Sequence, residues 1–235
     1  MVAESIFAEK ILADSPYDKI ETMEVIPAIN CLDIGCVEEK LKVSDTFLPK
    51  DGWIHLDVAD ARFTFNKTWG DPSLWLKFKN HFHLEVHLMV EEPEKAADEW
   101  IKSGAKRLIV HVETLTREAV AQILKMSREH GVEAMLSSNP HTSKDALKPY
   151  LKFFSSFQVL SVNPGYTGQP FLPLTLEKVK FLREASPDAK IEVDGGINRE
   201  IAKLAKAAGA NILAAASHIF GAKDPKKAYE ELKRI

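Results

Sequence analysis

Eight short runs rich in apolar and β-branched residues recur along the 235-residue chain, with longer amphipathic segments between them. The runs are EVIPAIN (24–30), WIHLDV (53–58), LEVHLMV (84–90), RLIVHV (107–112), EAMLSS (133–138), FQVLSV (157–162), KIEVD (190–194) and NILAAA (211–216). Their starts lie roughly 20 to 35 residues apart, the interval expected of a repeated strand–helix unit. Segments 93–103, 116–130, 173–185 and 198–208 read as helices. Asp71-Pro72, Glu92-Pro93, Ser143 and Asn198 supply helix caps or a first-turn proline. Gly104, Gly131 and Gly209 stand between a helix and the next strand, where a C-terminal glycine cap belongs. Eight such units in a chain of this length predict a (β/α)8 barrel. An open doubly wound sheet competes, but no GxGxxG follows the first strand. No low-complexity linker divides the chain, so residues 21–235 read as one barrel domain carrying the catalysis. Residues 1–20 read as a short helical extension that either covers the bottom of the barrel or mediates association.

Composition narrows the function classes. Apolar residues make up 45% and charged residues 28%, which is ordinary for a globular protein. The net charge of −3 gives no reason to expect a nucleic-acid or anionic-membrane partner. The N-terminal stretch mixes acids with apolar residues, unlike a signal peptide, and no apolar run is long enough to span a bilayer. A cytoplasmic enzyme is the expectation, with self-association left open. The two cysteines, Cys31 and Cys36, cannot form the framework of a disulfide-rich secreted domain and read as reduced thiols.

In a (β/α)8 barrel the chemistry lies at the C-terminal ends of the strands. Residues two apart on a strand share a face. The second strand therefore points His55 and Asp57 the same way, the third His87 and Met89, and the seventh ends on Asp194. A buried histidine and carboxylate need partners, because an unpaired buried charge is costly. Two histidines and two carboxylates from three strands converging at one level suit the first shell of a divalent metal. A lone strand histidine is more often a hydrogen-bonded core residue. His81, His83, His111, His130, His141 and His218 are read that way.

Glycine-rich turns form the second feature. NPGYTGQPF (163–171), with Gly165 and Gly168, follows the sixth strand, and DGGIN (194–198), with Gly195 and Gly196, follows the seventh. The eighth leads through Ala216 into SHIFG (217–221), which reads as a short helix starting at Ser217. Loops after the last two strands are the usual phosphate site of such barrels, where backbone N–H groups cradle a dianion. The competing explanation is that these glycines simply make tight turns.

With these features in place, the sequence resembles the ribulose-phosphate 3-epimerase family over about residues 24 to 232. The resemblance is carried by WIHLDVADARF, LEVHLMVEEPE, SVNPGYTGQPF, IEVDGGIN and the S-x-IFGAKD ending, in order and with matching spacing. It implies that His55, Asp57, His87 and Asp194 bind one divalent metal, zinc first, with iron, manganese or cobalt also suited. Asp57 and Asp194 are implied as the acid/base pair on opposite faces of a sugar-phosphate substrate. Met89 would stand as an apolar wall beside the planar intermediate, with ordinary core packing as the competing explanation. The implied reaction is inversion of C3 of D-ribulose 5-phosphate.

The chain departs from the family pattern at several positions. Ala28 replaces a serine, Ala59 a methionine, Ala61 a glycine, Leu160 a methionine, and Thr167 and Ala216 glycines. These changes put substrate identity in question. Epimerisation of a related hexulose phosphate such as allulose 6-phosphate, or a non-catalytic phosphosugar-binding barrel, are the alternatives. The intact aspartate pair argues against the second. A related phosphosugar decarboxylase would need an Asp-x-Lys-x-x-Asp array, and none occurs.

Overall fold

Alternation sorts the side chains of each strand. In β2 (Trp53–Ala59), which follows β1 (Glu24–Ile29) and α1 (Ile34–Asp45), Ile54, Leu56 and Val58 occupy one face and His55 and Asp57 the other. All five are buried, so the strand reads as nearly continuous core with polar groups on a single side. In the computed structural model, which describes residues 23 to 235, eight strands form a closed barrel in chain order. Every pairing resolved between these strands is parallel. The (β/α)8 expectation holds. The expected helical extension over residues 1–20 lies outside the described residues.

The described chain parts into two compact units. The first comprises Pro27–Ser137 with Pro164–Thr167. After β2 it contains α2 (Pro72–Trp75), β3 (His83–Met89), α3 (Pro93–Lys102), β4 (Arg107–His111), α4 (Arg117–His130) and most of β5 (Glu133–Ser138). Strand–helix packing here is aliphatic and aromatic: Leu84, Val86, Leu88, Leu108 and Val110 are at most 2% exposed. Trp75 meets the fully buried Trp100 of α3 edge to face at 6.4 Å. Each such aliphatic side chain contributes roughly 1.5–3 kcal/mol on burial. Helix ends follow the local signals. Asp71 accepts from the N–H groups of Ser73 and Leu74, and Thr116 from that of Ala119. Gly131 closes α4 at φ 66°.

Ser138–Asn163, Gly168–Ile235 and the described residues up to Ile26 make the second unit. It holds β6 (Ser156–Leu160), α5 (Leu176–Ala185), β7 (Lys190–Asp194), α6 (Arg199–Ala208), β8 (Ile212–Ala215), α7 (Ser217–Phe220) and α8 (Pro225–Lys233). Val179, Leu182, Ala202 and Ala205 are fully buried, small residues on α6 against larger ones on α5. Asn198 accepts from the N–H groups of Glu200 and Ile201, as its position before α6 predicts. Ser143 does cap a helix, but a 3-10 helix over Lys144–Tyr150 rather than an α-helix. Pro149 inside that segment lacks the N–H an α-helix would need.

The thiol expectation is corrected. Cys31 and Cys36 form a disulfide. Cys31 lies just beyond β1 and Cys36 in the first turn of α1, where Asp33 accepts from the Cys36 N–H. The helical turn brings the two Cα atoms to 5.8 Å, inside the range a disulfide requires. Among the described residues, no helix is long and apolar enough to cross a membrane.

Candidate active site

The register of β2 against β3 assembles the site. His55 pairs with Glu85, Asp57 with His87 and Ala59 with Met89, so both strands present their odd-numbered polar residues at matching levels. One ligand atom each from His55, Asp57, His87 and Asp194 all lie within 4.8 Å of one another. All four are buried. The sequence-predicted quartet is therefore brought together.

Both carboxylate oxygens of Asp57 are engaged. Its Oδ1 lies 3.2 Å from His55 Nε2 and 2.9 Å from His87 Nδ1. Its Oδ2 accepts from Asn30 Nδ2 at 3.0 Å. Burial would raise the Asp57 pKa, but the hydrogen bonds and charge of His55 and His87 outweigh it and hold the carboxyl well below the usual range. Asn30 also donates to the carbonyl of Gly165 at 3.1 Å, as does Asn66 at 3.3 Å. The Lys40 ammonium donates to the Asn30 carbonyl at 3.2 Å. Burial lowers the Lys40 pKa, against the raising effect of the Asp57 and Glu39 charges.

His55 is anchored from behind. Its Nδ1 lies 2.7 Å from Glu85 Oε1, and Glu85 is paired in turn with the Arg107 guanidinium. Arg107 also donates to Glu133 at 3.0 Å and lies 4.3 Å from the centroid of Trp53. Burial pushes the Glu85 carboxyl up, while the His55 hydrogen bond and the His55 and Arg107 charges bring it below its ordinary value. On the other side, His87 Nε2 lies 2.8 Å from Nε2 of His111.

Asp194 ends β7 in the second unit, where Gln158 Nε2 approaches its Oδ2 at 3.4 Å and donates to Glu192 at 2.9 Å. The Ser161 hydroxyl sits 2.6 Å from the Asp194 carbonyl and 2.7 Å from that of Gly195, which fixes the turn after β7. Met89 is 2% exposed at the end of β3. Gly165, Gly195 and Gly196 all have positive φ. A Cβ on Gly165 would meet Asn66 Oδ1 at 2.7 Å, and one on Gly196 the Phe171 nitrogen at 2.7 Å. Close approach within the chain itself thus requires these glycines. Gly168 also has positive φ but open space around it. Ala216 precedes α7 and Ser217 begins it.

Sequence reasoning missed Asn30, Glu85, Arg107, Ser161 and His111. Glu85 and Arg107 carried a signal, charged residues at the inward parity of strands otherwise apolar. Asn30 and Ser161 carried none.

The Ribulose-phosphate 3 epimerase family model matches residues 24–220. A ribulose-phosphate 3-epimerase of Chlamydia pneumoniae is 36% identical over 211 residues, covering 87% of this chain and 90% of that protein. The Bacillus subtilis (strain 168) ribulose-phosphate 3-epimerase is 33% identical over 217 residues, covering 90% and 98%. Among solved structures, a 3-hexulose-6-phosphate synthase superposes with a TM-score of 0.67, covering 90% of this chain and 99% of that one. Its 18% identity speaks to the barrel alone. A family match spanning most of the barrel, joined to relatives aligned along nearly their whole length, makes this chain an isomerase that belongs to the ribulose-phosphate 3-epimerase family.

Proposed function

We propose that the protein interconverts D-ribulose 5-phosphate and D-xylulose 5-phosphate by inverting C3, with Asp57 and Asp194 as the proton-transfer pair. The observation that carries this reading is the buried cluster in which carboxylates from two different strands meet two imidazoles. Inversion beside a ketone needs a base on one face of the carbon and an acid on the other. One carboxylate takes the C3 proton, and the electron pair moves toward the C2 carbonyl to give an enediolate. The other carboxyl group delivers its proton to the opposite face. In the reverse direction the two exchange roles. His55 and His87 hold Asp57 ionised, so its carboxylate is free of a proton at neutral pH, and Asn30 orients one of its oxygens.

The donor set fits a divalent cation, with two imidazole nitrogens and two carboxylates, all on buried residues. His55, Asp57, His87 and Asp194 would hold it, zinc first, with iron, manganese and cobalt also suited to such a set. When bound, the ion supplies Lewis-acid stabilisation of negative charge on the substrate oxygens. Met89 offers an apolar, polarizable surface that excludes water beside the planar carbon. Purified protein with D-ribulose 5-phosphate, with and without added divalent metal, is expected to form D-xylulose 5-phosphate. Absence of product in every metal-supplemented sample overturns the reading.

Backbone N–H groups of Gly195, Gly196 and residues 216–218 are proposed to hold the phosphate, flanked by the loop of Gly165 and Gly168. Support comes from the turn that Ser161 locks and from the position of both segments after the last two strands. A bulky residue at 196 would distort the Phe171 backbone whatever binds, so the test leaves the chain intact. Inorganic phosphate titrated into isotope-labelled protein should shift the amide resonances of 195, 196 and 216–218. Shifts confined to other amides would place the phosphate elsewhere.

A further inference from the structure

His111 is the buried, hydrogen-bonded core histidine that the sequence leads one to expect, and the identity of its partners carries a consequence. It ends β4 fully buried, with its ring end to end with that of His87. The two Nε2 atoms are 2.8 Å apart, the ring planes differ by 18° and the centroids are 5.0 Å apart. That geometry is nitrogen facing nitrogen, close to a common plane, as an N–H···N hydrogen bond requires. The far side of the His111 ring continues the line, with Nδ1 3.1 Å from Glu113 Oε2. Phe63 lies against the same ring at a centroid distance of 4.7 Å, limiting where it can swing.

The direction of this chain of bonds follows from donor chemistry. His87 presents Nδ1 to Asp57, on the side of the clustered ligand atoms. A nitrogen that binds a cation must offer its lone pair, so the His87 proton sits on Nε2. His111 Nε2 must then accept, which puts the His111 proton on Nδ1, where only an acceptor is tolerated. The Glu113 carboxylate is that acceptor. The other histidine of the cluster is held by a carboxylate directly, through Glu85.

We propose that His111 and Glu113 are positioning residues that fix the tautomer and ring orientation of His87 as a metal ligand. Glu113 does for His87, through one intervening imidazole, what Glu85 does for His55 at first hand. The inference rests on the reading of His55, Asp57, His87 and Asp194 as metal ligands. Both act through His87, His111 by direct contact and Glu113 through His111.

The test is a metal titration of the metal-free protein against a chromophoric chelator, with zinc and with cobalt, for wild type, Glu113→Leu, Glu113→Gln and His111→Phe. Disrupting an outer partner of a ligand histidine typically costs 10–100-fold in metal affinity. Glu113→Leu and His111→Phe are expected to weaken binding by about that factor, and Glu113→Gln, which keeps an acceptor oxygen, by less. Thermal unfolding of each metal-free variant controls for a folding defect. Nitrogen NMR of the histidine rings reads the arrangement without any variant. In the metal-loaded wild type, His87 should carry its proton on Nε2 and His111 on Nδ1. Wild-type metal binding with unaltered affinity in both Glu113→Leu and His111→Phe overturns the proposal, as does a His87 proton on Nδ1. Failure of the wild type itself to bind metal overturns the metal reading and this inference with it.

Discussion

The two carboxylates of the cluster differ in their surroundings, and that difference is testable residue by residue. Asp57 has both oxygens occupied, Oδ1 by two imidazoles and Oδ2 by Asn30. Asp194 Oδ2 is approached by Gln158, and its backbone carbonyl accepts from Ser161. If each serves one face of C3, Asp57→Asn and Asp194→Asn should each reduce epimerisation by about 10²–10⁴-fold or more, the usual range for a general acid–base group. In heavy water each variant should still wash deuterium into C3 of one epimer, and the two variants should favour opposite epimers. Metal content must be measured in both, because Asn keeps an oxygen donor but loses the charge. Near-normal epimerisation by metal-loaded Asp194→Asn protein would mean that one face is served by another group.

At the scale of elements, the loop from β2 to α2 shows a local rule broken and the compensation for it. Ala61 sits at φ 61°, a left-handed conformation that costs an L-residue roughly 1–2 kcal/mol. Asp60 holds it there. Its Oδ1 accepts from the N–H groups of Arg62 and Phe63, and its Oδ2 from that of Glu91 beyond β3. Although partial burial acts to raise the Asp60 carboxyl, these N–H groups bring it below its ordinary value. Ala61→Gly removes the steric cost and gives back part of it as unfolded-chain entropy. The expected outcome is a gain of about 0.5–1 kcal/mol. Urea unfolding should show a higher midpoint at unchanged slope, and a lower midpoint would contradict the account. Capping groups at helix starts were legible because they act over three or four residues. Asp71 and Asn198 both accept from N–H groups within that reach.

At the scale of the whole molecule, period-two alternation and glycine punctuation are local quantities, and they predicted eight strands whose observed bounds differ by one or two residues at most. Parity likewise predicted that His55, Asp57, His87 and Asp194 would share a level. What escaped was decided across strands. His111 lies 24 positions from His87, and only the pairing of β3 with β4 makes them neighbours. Asn30 reaches Asp57 over 27 positions and Gly165 over 135. The state of Cys31 and Cys36 turned on a helical turn that brings their Cα atoms to 5.8 Å, since a spacing of five is compatible with either thiols or a disulfide. The glycines of the mouth loops were legible as turn residues, but the Phe171 and Asn66 backbone and side-chain atoms that exclude a Cβ there became visible only in the folded chain. The sequence by itself determined the repeat and the identity and parity of the four clustered residues, because side-chain direction along a strand is set by neighbouring residues. Tertiary structure alone decided which groups stand behind those residues, because hydrogen bonds between strands depend on register, and register is a property of the closed sheet.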